Sequence, residues 1–530
     1  MSERSRRVAS GRTPAVAQGA KRILFITSNG TGLGHLTRSM AIARRLPPDG
    51  VESLFITLSA AAPVVRSLGF PVEYIASYGT PGSGNDYRWS RRLRARLRAA
   101  IEEIDPAVLV FDGTHPYEPL LGAFRDRSDT TAVWCRRPLW KRGADRAPLA
   151  RAGAFDAVLE PGELAESEDR GPTAALRGET HRVGPIVLLD RSELLPRDQA
   201  ERELGLQPER TNVLVTLGQG AEVREATERI LTHLANRGDV QVAALRSTIA
   251  GGAGDRRLPD GIVELRATYP MSRHFAAFDV AVSAAGYNAF HELIALGVPS
   301  LFVPMHRQTD DQPARARWAE RQGLACGAES ATDPGLERLL DELLDPDARA
   351  GIADRLRELE PAAGAAEASG WLAAGPETGP RRPASDRGQK EFRRRWTQFL
   401  RYAPRTALRL ARQQVTQPRP RTLLLALGNT GDTPAAVRGA LTQTPDPPER
   451  VLVITDSLQL APLRELGVGI EHVPGPGERQ PELARGDYDA FLRHRLDLIL
   501  AERPRPKRVL TAPGCRPPPP RIAPAAGQGD

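Results

Sequence analysis

A histidine at the end of a glycine-rich turn is the first group in this chain equipped to move a proton. Ser28-Asn-Gly-Thr-Gly-Leu-Gly-His35 follows the apolar run Ile23–Thr27 and precedes a helical stretch. Glycines at 30, 32 and 34 let the backbone turn sharply or approach a ligand closely. A helix starting near Leu36 would aim free N–H groups and its positive dipole end at the same place. The imidazole of His35 titrates near neutrality and suits removal of a hydroxyl proton, although a His here could equally cap its own helix. Asp112 ends the run Val108–Phe111 and would reach the same crevice, where it could orient His35. An Asp-Gly pair after a strand also fits a plain turn. No Gly-Lys-Ser/Thr follows the glycines, so this is not a Walker loop.

Two further segments carry ligand-binding residue types. Leu217-Gly218-Gln219-Gly220 is a second strand-to-helix turn whose backbone N–H groups could approach phosphate oxygens. Val282-Ser283-Ala-Ala-Gly286-Tyr-Asn288-Ala-Phe-His-Glu292 follows another strand, with small residues permitting close backbone approach. A helix beginning near Tyr287 would face an anion, and Glu292, about a turn further in, could accept both hydroxyls of a ribose. Past Leu296-Gly-Val-Pro299 and Phe302-Val-Pro304, Asp311 and Gln312 supply a carboxylate and an amide, the groups that read a polyol.

Positioning these motifs requires strands that end at one edge. From Lys21, short β-rich runs (Ser53–Thr57, Val72–Ile75, Ala132–Trp134, Ala157–Leu159) alternate with helical stretches (Thr37–Arg45, Ala60–Leu68, Ser90–Ile104). The pattern restarts with Asn212–Thr216 and continues through Val240–Leu245, Ile262–Leu265, Val280–Ser283 and Ser300–Val303. Continuous apolar strands alternating with helices predict parallel sheets covered on both faces. The expected fold is α/β: two doubly wound, Rossmann-like domains (21–190 and 205–368) facing one cleft and joined near Pro185–Leu206.

A disordered tail is expected over 1–20, a basic linker over 369–420, and a second tail over 515–530. The linker is Gly- and Pro-rich at first. It then places Phe392, Trp396, Phe399 and Leu400 on one helical face among arginines. Residues 381–412 hold 11 Lys or Arg against Asp386 and Glu391, more than the chain's whole net charge of +8. The remainder is near neutral, which excludes a nucleic-acid partner for the main body. The segment 392–412 is a candidate for peripheral contact with anionic lipid, or a solvated linker helix. Cys135, Cys326 and Cys515 lie far apart without metal-ligand spacing, which predicts a reducing compartment and no metal. With neither a signal-peptide core nor 18 consecutive apolar residues, the expected location is cytoplasmic, peripheral at most at the inner face of the plasma membrane.

Residues 421–514 form a partial copy of the first domain. Leu54-Phe-Ile-Thr-Leu-Ser59 matches Leu452-Val-Ile-Thr-Asp-Ser457, and Arg66-Ser-Leu-Gly69 matches Arg464-Glu-Leu-Gly467. Glu73 falls on Glu471 in the same register, and Leu93–Leu97 matches Leu492–Leu496 after a one-residue shift. Pro434 lies where His35 would fall, so this copy has lost the proposed base.

With these motifs together, the chain resembles MurG-type transferases of glycosyltransferase family 28 over roughly residues 21–350. The resemblance implies a GT-B fold, an inverting and metal-independent reaction, and a UDP-sugar or related nucleotide-sugar co-substrate with no other cofactor. It assigns the Gly-rich loop and base to Gly30, Gly32, Gly34 and His35, and the diphosphate loop to Gly218–Gly220. Ribose falls to Glu292 and the sugar to Gln312, with Asp311 where the family has another Gln. The family's interdomain phosphate-binding Arg is missing from Val183-Gly-Pro-Ile-Val-Leu-Leu189, leaving Arg191, Arg246 and Arg273 as substitutes. The residues after His35 depart from the family's acceptor loop, which argues against the identical lipid acceptor and leaves a lipid-linked acceptor, a glycan or a small molecule open. A nucleotide-sugar 2-epimerase and a non-catalytic nucleotide-sugar-binding scaffold are the alternatives on this fold.

Overall fold

The computed structural model describes residues 20–29, 33–124, 127, 129–218, 221–245, 258–265, 269–376, 419–429, 431–476, 487–501, 503 and 505–517. The candidate residues Gly30, Gly32, Gln219, Gly220 and Arg246 and the basic segment 392–412 lie outside these. Three separate parallel sheets organise the chain.

The first sheet has seven strands: β1 (Lys21–Thr27), β2 (Val51–Thr57), β3 (Val72–Tyr74), β4 (Val108–Asp112), β5 (Thr131–Cys135), β6 (Ala157–Glu160) and β7 (His181–Arg182). Their order is β3-β2-β1-β4-β5-β6-β7. The central strands are buried along nearly their whole length, as a sheet covered on both faces demands. The chain order reverses between β1 and β4, where Thr27 pairs with Asp112. The loops after these two strands therefore open side by side, at the point where such sheets bind ligands.

The second sheet repeats this logic with β8 (Thr211–Thr216), β9 (Val240–Leu245), β10 (Val263–Leu265), β11 (Val280–Ser283), β12 (Ser300–Phe302) and β13 (Cys326–Gly327). Its order is β10-β9-β8-β11-β12-β13, and Thr216 pairs with Ser283 at its switch point. Gly218, at φ +90°, turns the chain just beyond β8 in a conformation that favours glycine.

One element departs from the sequence reading. The composition change near Ala368 falls inside a helix, Gly364–Ala374, and not at the start of a linker. This helix returns to the first domain: Lys21 Nζ donates to the carbonyls of Leu372 and Ala373, and Trp371 stacks on His181. Gly364 packs so tightly on Gly184 that a Cβ would sit 1.8 Å from the Gly184 carbonyl oxygen.

The third sheet comprises β14 (Thr422–Ala426), β15 (Val451–Thr455), β16 (Gly469–His472) and β17 (Arg508–Thr511). Its order, β16-β15-β14-β17, reproduces β3-β2-β1-β4. Leu24 pairs with Leu54 and Leu423 with Leu452, so Leu423 stands in the place of Leu24. Carried along in that register, Pro434 is the second residue of the Thr433–Leu441 helix, as His35 is of Gly34–Ala43. The place of Arg38 is taken by Val437. Because Leu425 pairs with Thr511, the place of Asp112 falls on Ala512.

Candidate functional site

Between the first two sheets lies a cavity of about 860 Å³. Ser28, Asn29, His35, Arg38, His115, Tyr117 and Arg137 line it from the first domain. Thr216, Gly218, Ser283, Gly286, Asn288, Glu292 and Gln312 line it from the second. The two switch points thus face each other across one space.

On the first side, β4 delivers Asp112 fully buried beneath the turn that carries His35. Gly113 lets the chain leave β4 close to Ser28, since a Cβ there would lie 2.4 Å from the Phe111 ring and 2.9 Å from Ser28 Oγ. His35 Nδ1 is 2.7 Å from Asp112 Oδ1. An ionised carboxylate can only accept, so Nδ1 carries the proton and Nε2 keeps a free lone pair. Arg38, one turn along the same helix and 1% exposed, donates through Nε to Asp112 Oδ2 at 3.1 Å and through Nη2 to Oδ1. Burial would raise the Asp112 pKa, but the Arg38 charge and the hydrogen bonds from His35 and Arg38 hold it below the usual carboxylate range. Burial pulls His35 below its ordinary value; Asp112 opposes this, and Arg38 and Arg137 add to it. The result is a neutral imidazole with its basic nitrogen available around pH 7.

Arg38 also reaches across the cleft. Its Nη1 is 3.3 Å from Asn288 Oδ1, and its guanidinium lies 5.3 Å from the centre of the Tyr287 ring. Tyr287 is itself a tie between domains: its hydroxyl donates to the Gly162 carbonyl at 2.8 Å and accepts from the Ile186 N–H at 3.1 Å.

On the second side, Gly286 precedes the Tyr287–Ala295 helix, whose first N–H groups open toward the cavity. Ser283 ends β11, and its hydroxyl donates to the Thr216 carbonyl at 3.2 Å. Glu292 lies deeper, where its Oε1 is buried without a hydrogen-bond partner. Burial pushes its pKa up to about 7, although the Leu188 N–H lowers it in part. An unsatisfied buried acceptor at the cavity wall is a place prepared for a donor such as a hydroxyl.

Two expected contacts are rearranged. Asp311 caps the Gln312–Arg321 helix through the Ala314 N–H at 3.2 Å and does not line the cavity; Asp310 lines it instead. The Gln312 amide lines the cavity yet is engaged with protein, accepting from Met305 N–H at 2.9 Å and donating to Asp310 Oδ2 at 3.3 Å. Of the substitute cations, Arg191 donates to the backbone carbonyls of Ala295, Leu356 and Arg357, and Arg273 is exposed; neither lines the cavity. Arg38, Arg137 and Arg307 do.

Arg137 belongs to a buried charge network that spans the domains. It lies 2.9 Å from Asp310, which Arg315 contacts at 2.8 Å, while Arg315 also binds Glu163 at 2.9 Å. Burial alone would raise the Asp310 pKa, but Arg315 and Arg137 hold it far below the carboxylate range. The backbone joins in, with Lys141 N–H donating to Thr309 O at 2.7 Å and Asp311 N–H to Leu139 O at 3.1 Å.

Sequence reasoning did not single out Arg38, Arg137 or Asp310. The i, i+3 spacing of His35 and Arg38 was a usable signal, because it places both on one helix face. Arg137 carries a weaker one, lying just past the end of β5. Asp310 had only its neighbour's prominence.

Among the described residues, no cluster of His, Cys, Asp and Glu could hold a metal ion, and no helix is long and apolar enough to cross a membrane.

Comparison with known proteins places these features. The family model "Glycosyltransferase family 28 C-terminal domain" matches residues 254–367. A Clavibacter michiganensis subsp. michiganensis protein is 30% identical over 379 residues, covering 69% of this chain and 100% of its own length. Its name is UDP-N-acetylglucosamine–N-acetylmuramyl-(pentapeptide) pyrophosphoryl-undecaprenol N-acetylglucosamine transferase. A Verminephrobacter eiseniae protein of the same name is 29% identical over 323 residues, covering 57% of this chain and 83% of its own length. Among solved structures, Acinetobacter baumannii MurG aligns with TM-score 0.45 and 16% identity, over 67% of this chain and 99% of that one.

Proposed function

Because the chain belongs to glycosyltransferase family 28, as a MurG-like nucleotide-sugar glycosyltransferase with a GT-B fold, we propose that it transfers a hexose-type sugar from a UDP-sugar to an acceptor hydroxyl. The acceptor class favoured is a lipid-linked glycan, the kind that the family relatives' names specify. The observation that carries this reading is one juxtaposition. His35, paired with the buried Asp112, faces across the cavity a donor-side wall where Glu292 Oε1 has no partner.

In the proposed reaction, the acceptor oxygen attacks the anomeric carbon as His35 Nε2 takes its proton. The bond from that carbon to the diphosphate oxygen breaks, its electron pair leaves with the nucleoside diphosphate, and the anomeric configuration inverts. Asp112 holds the ring orientation and stabilises the imidazolium that forms, the part a carboxylate plays beside any histidine base. Glu292 accepts from the ribose hydroxyls. The N–H groups at the start of the Tyr287–Ala295 helix meet the charge growing on the diphosphate, with Arg38, Arg137 and Arg307 the cations on the lining. No further cofactor is invoked.

The deciding measurement is UDP release from a panel of UDP-sugars, with and without a total bacterial lipid extract. Acceptor-dependent release that disappears in His35→Ala supports the transferase. Isomerised sugar without release would instead identify a 2-epimerase, and nucleotide binding without turnover a scaffold.

A further inference from the structure

The third sheet packs on the first as a second copy of the same protein would. In a two-fold interface each residue of one copy meets its counterpart's partner in the other. Here Arg96 and Arg495 are matched positions in the repeat, as are Glu73 and Glu471. Arg96 crosses to Glu471 at 2.6 Å, and Arg495 crosses to Glu73 at 3.3 Å. A third matched pair meets directly, since the Tyr74 N–H donates to His472 Nδ1 at 3.3 Å. All of these side chains are buried, and one continuous apolar core joins Phe55, Val65 and Val72 to Leu460, Leu463 and Ile470.

This interface abuts the segment 77–84, which contacts the cavity-lining Asn29. A Cβ on Gly469 would lie 2.9 Å from Pro81 O and 3.1 Å from Gly82 Cα, so the two backbones are in direct contact. Arg503, held by Glu471, donates to Gly82 O at 3.1 Å. Within the segment, Gly79 N–H donates to Ser83 Oγ at 3.2 Å and Thr80 Oγ1 to Ser77 O at 2.8 Å. At its other end Asn29 Nδ2 donates to Ser77 Oγ at 2.9 Å, and Asn29 lines the cavity on the His35 side. An unbroken series of contacts therefore runs from the repeat to the catalytic turn. The repeat itself has Pro434, Val437 and Ala512 in place of His35, Arg38 and Asp112, so it has no base to contribute.

We propose that residues 419–517 are a catalytically silent, built-in dimer partner whose role is to position the 77–84 segment and, through Asn29, the acceptor side of the cleft. Arg503 and Gly469 are its positioning residues. The proposal rests on the transferase reading for its acceptor arm, and its structural arm stands without it.

The full-length chain provides the test, with Arg503→Ala and Gly469→Val compared by hydrogen exchange and by UDP binding. Backbone amides of 77–84 should exchange at least tenfold faster in both variants, while those of 287–295 and the affinity for UDP change less than twofold. With UDP-sugar donor and a total lipid extract, half-saturating extract should rise at least fivefold at unchanged half-saturating donor. Arg503→Lys should restore both readouts. Unchanged exchange at 77–84 in both variants, or equal loss of protection at 287–295, overturns the proposal. If the parent chain releases no UDP, the transferase reading fails, and the exchange result still decides whether the repeat positions this segment.

Discussion

Arg38 Nη1 lies 3.3 Å from Asn288 Oδ1, so the cation that grips the orienting carboxylate of the base also touches the donor-side helix. Arg38 is therefore placed to sense both halves of the cleft. Its removal should act on His35 in a definite direction. The guanidinium disfavours an imidazolium beside it, so Arg38→Gln should raise the His35 pKa and move the acid limb of the transfer pH profile to higher pH. A histidine NMR titration measures the shift without substrate. Leaving Asp112 buried with one fewer partner should also cost about 3–5 kcal/mol of stability, read by denaturant unfolding.

His35 and Asp112 should behave as one unit. His35→Ala should lower transfer by roughly 10²–10⁴-fold with UDP affinity retained, the range for losing a positioned base. Asp112→Asn can present a donor to Nδ1 and thereby favour the wrong tautomer, so it should fall in the same range. The double variant should be little worse than either single one, because groups acting together are not additive. Additive losses in single-turnover assays would show that Asp112 acts independently of the base.

Much of this was legible in the chain, for physical reasons that differ by site. Apolar runs such as Val108–Phe111 and Val280–Ser283 marked buried parallel strands, and strand ends in such sheets lie at the ligand edge. His35, Asp112, Ser283, Gly286, Asn288 and Glu292 were readable as candidates on that ground. Asp311 and Gln312 are adjacent and chemically apt, but the start of a helix separates their roles, one as its cap and the other facing inward. Arg137 meets Asp310 across 173 residues of sequence, and no local pattern encodes such a contact. The repeat was visible as matched residues, whereas its reciprocal packing emerged only with the third dimension.

Glu292 gives a pH-dependent signature of its own. Its pKa is about 7 in the folded chain against an ordinary 4.5, so between those values the native state holds a proton that the unfolded chain has released. Stability contributed by this site must then fall as pH rises from 4.5 to 7. Glu292→Gln should melt above the parent at pH 8, with the gap closing below pH 4.5. The same variant should weaken UDP binding at least tenfold. In the parent, UDP binding near pH 6.5 should release protons, because ribose hydroxyls favour the ionised carboxylate. Calorimetry in buffers of different ionisation enthalpy detects that release, and its persistence in Glu292→Gln would assign it elsewhere.

The buried charges between the first domain and its repeat should make their contact sensitive to acid. Burial would raise the pKa values of both Glu73 and Glu471, but Arg495 and Arg96 hold the first below its ordinary 4.5, and Arg503, Arg96 and Arg92 the second. Carboxylates depressed on folding contribute stability that is full above 4.5 and lost as pH falls through their folded values. Arg96 serves both, at 2.6 Å from each, so Arg96→Ala leaves two buried carboxylates short of a partner. A loss of about 3–5 kcal/mol is expected from breaking such a cluster. Replacing Arg96 by Met together with Glu73→Gln and Glu471→Gln should recover much of it and flatten the acid dependence below pH 4.5. Thermal unfolding across that range, followed by calorimetry, separates the two outcomes: an acid dependence as steep as the parent's would place the titrating carboxylates outside this interface.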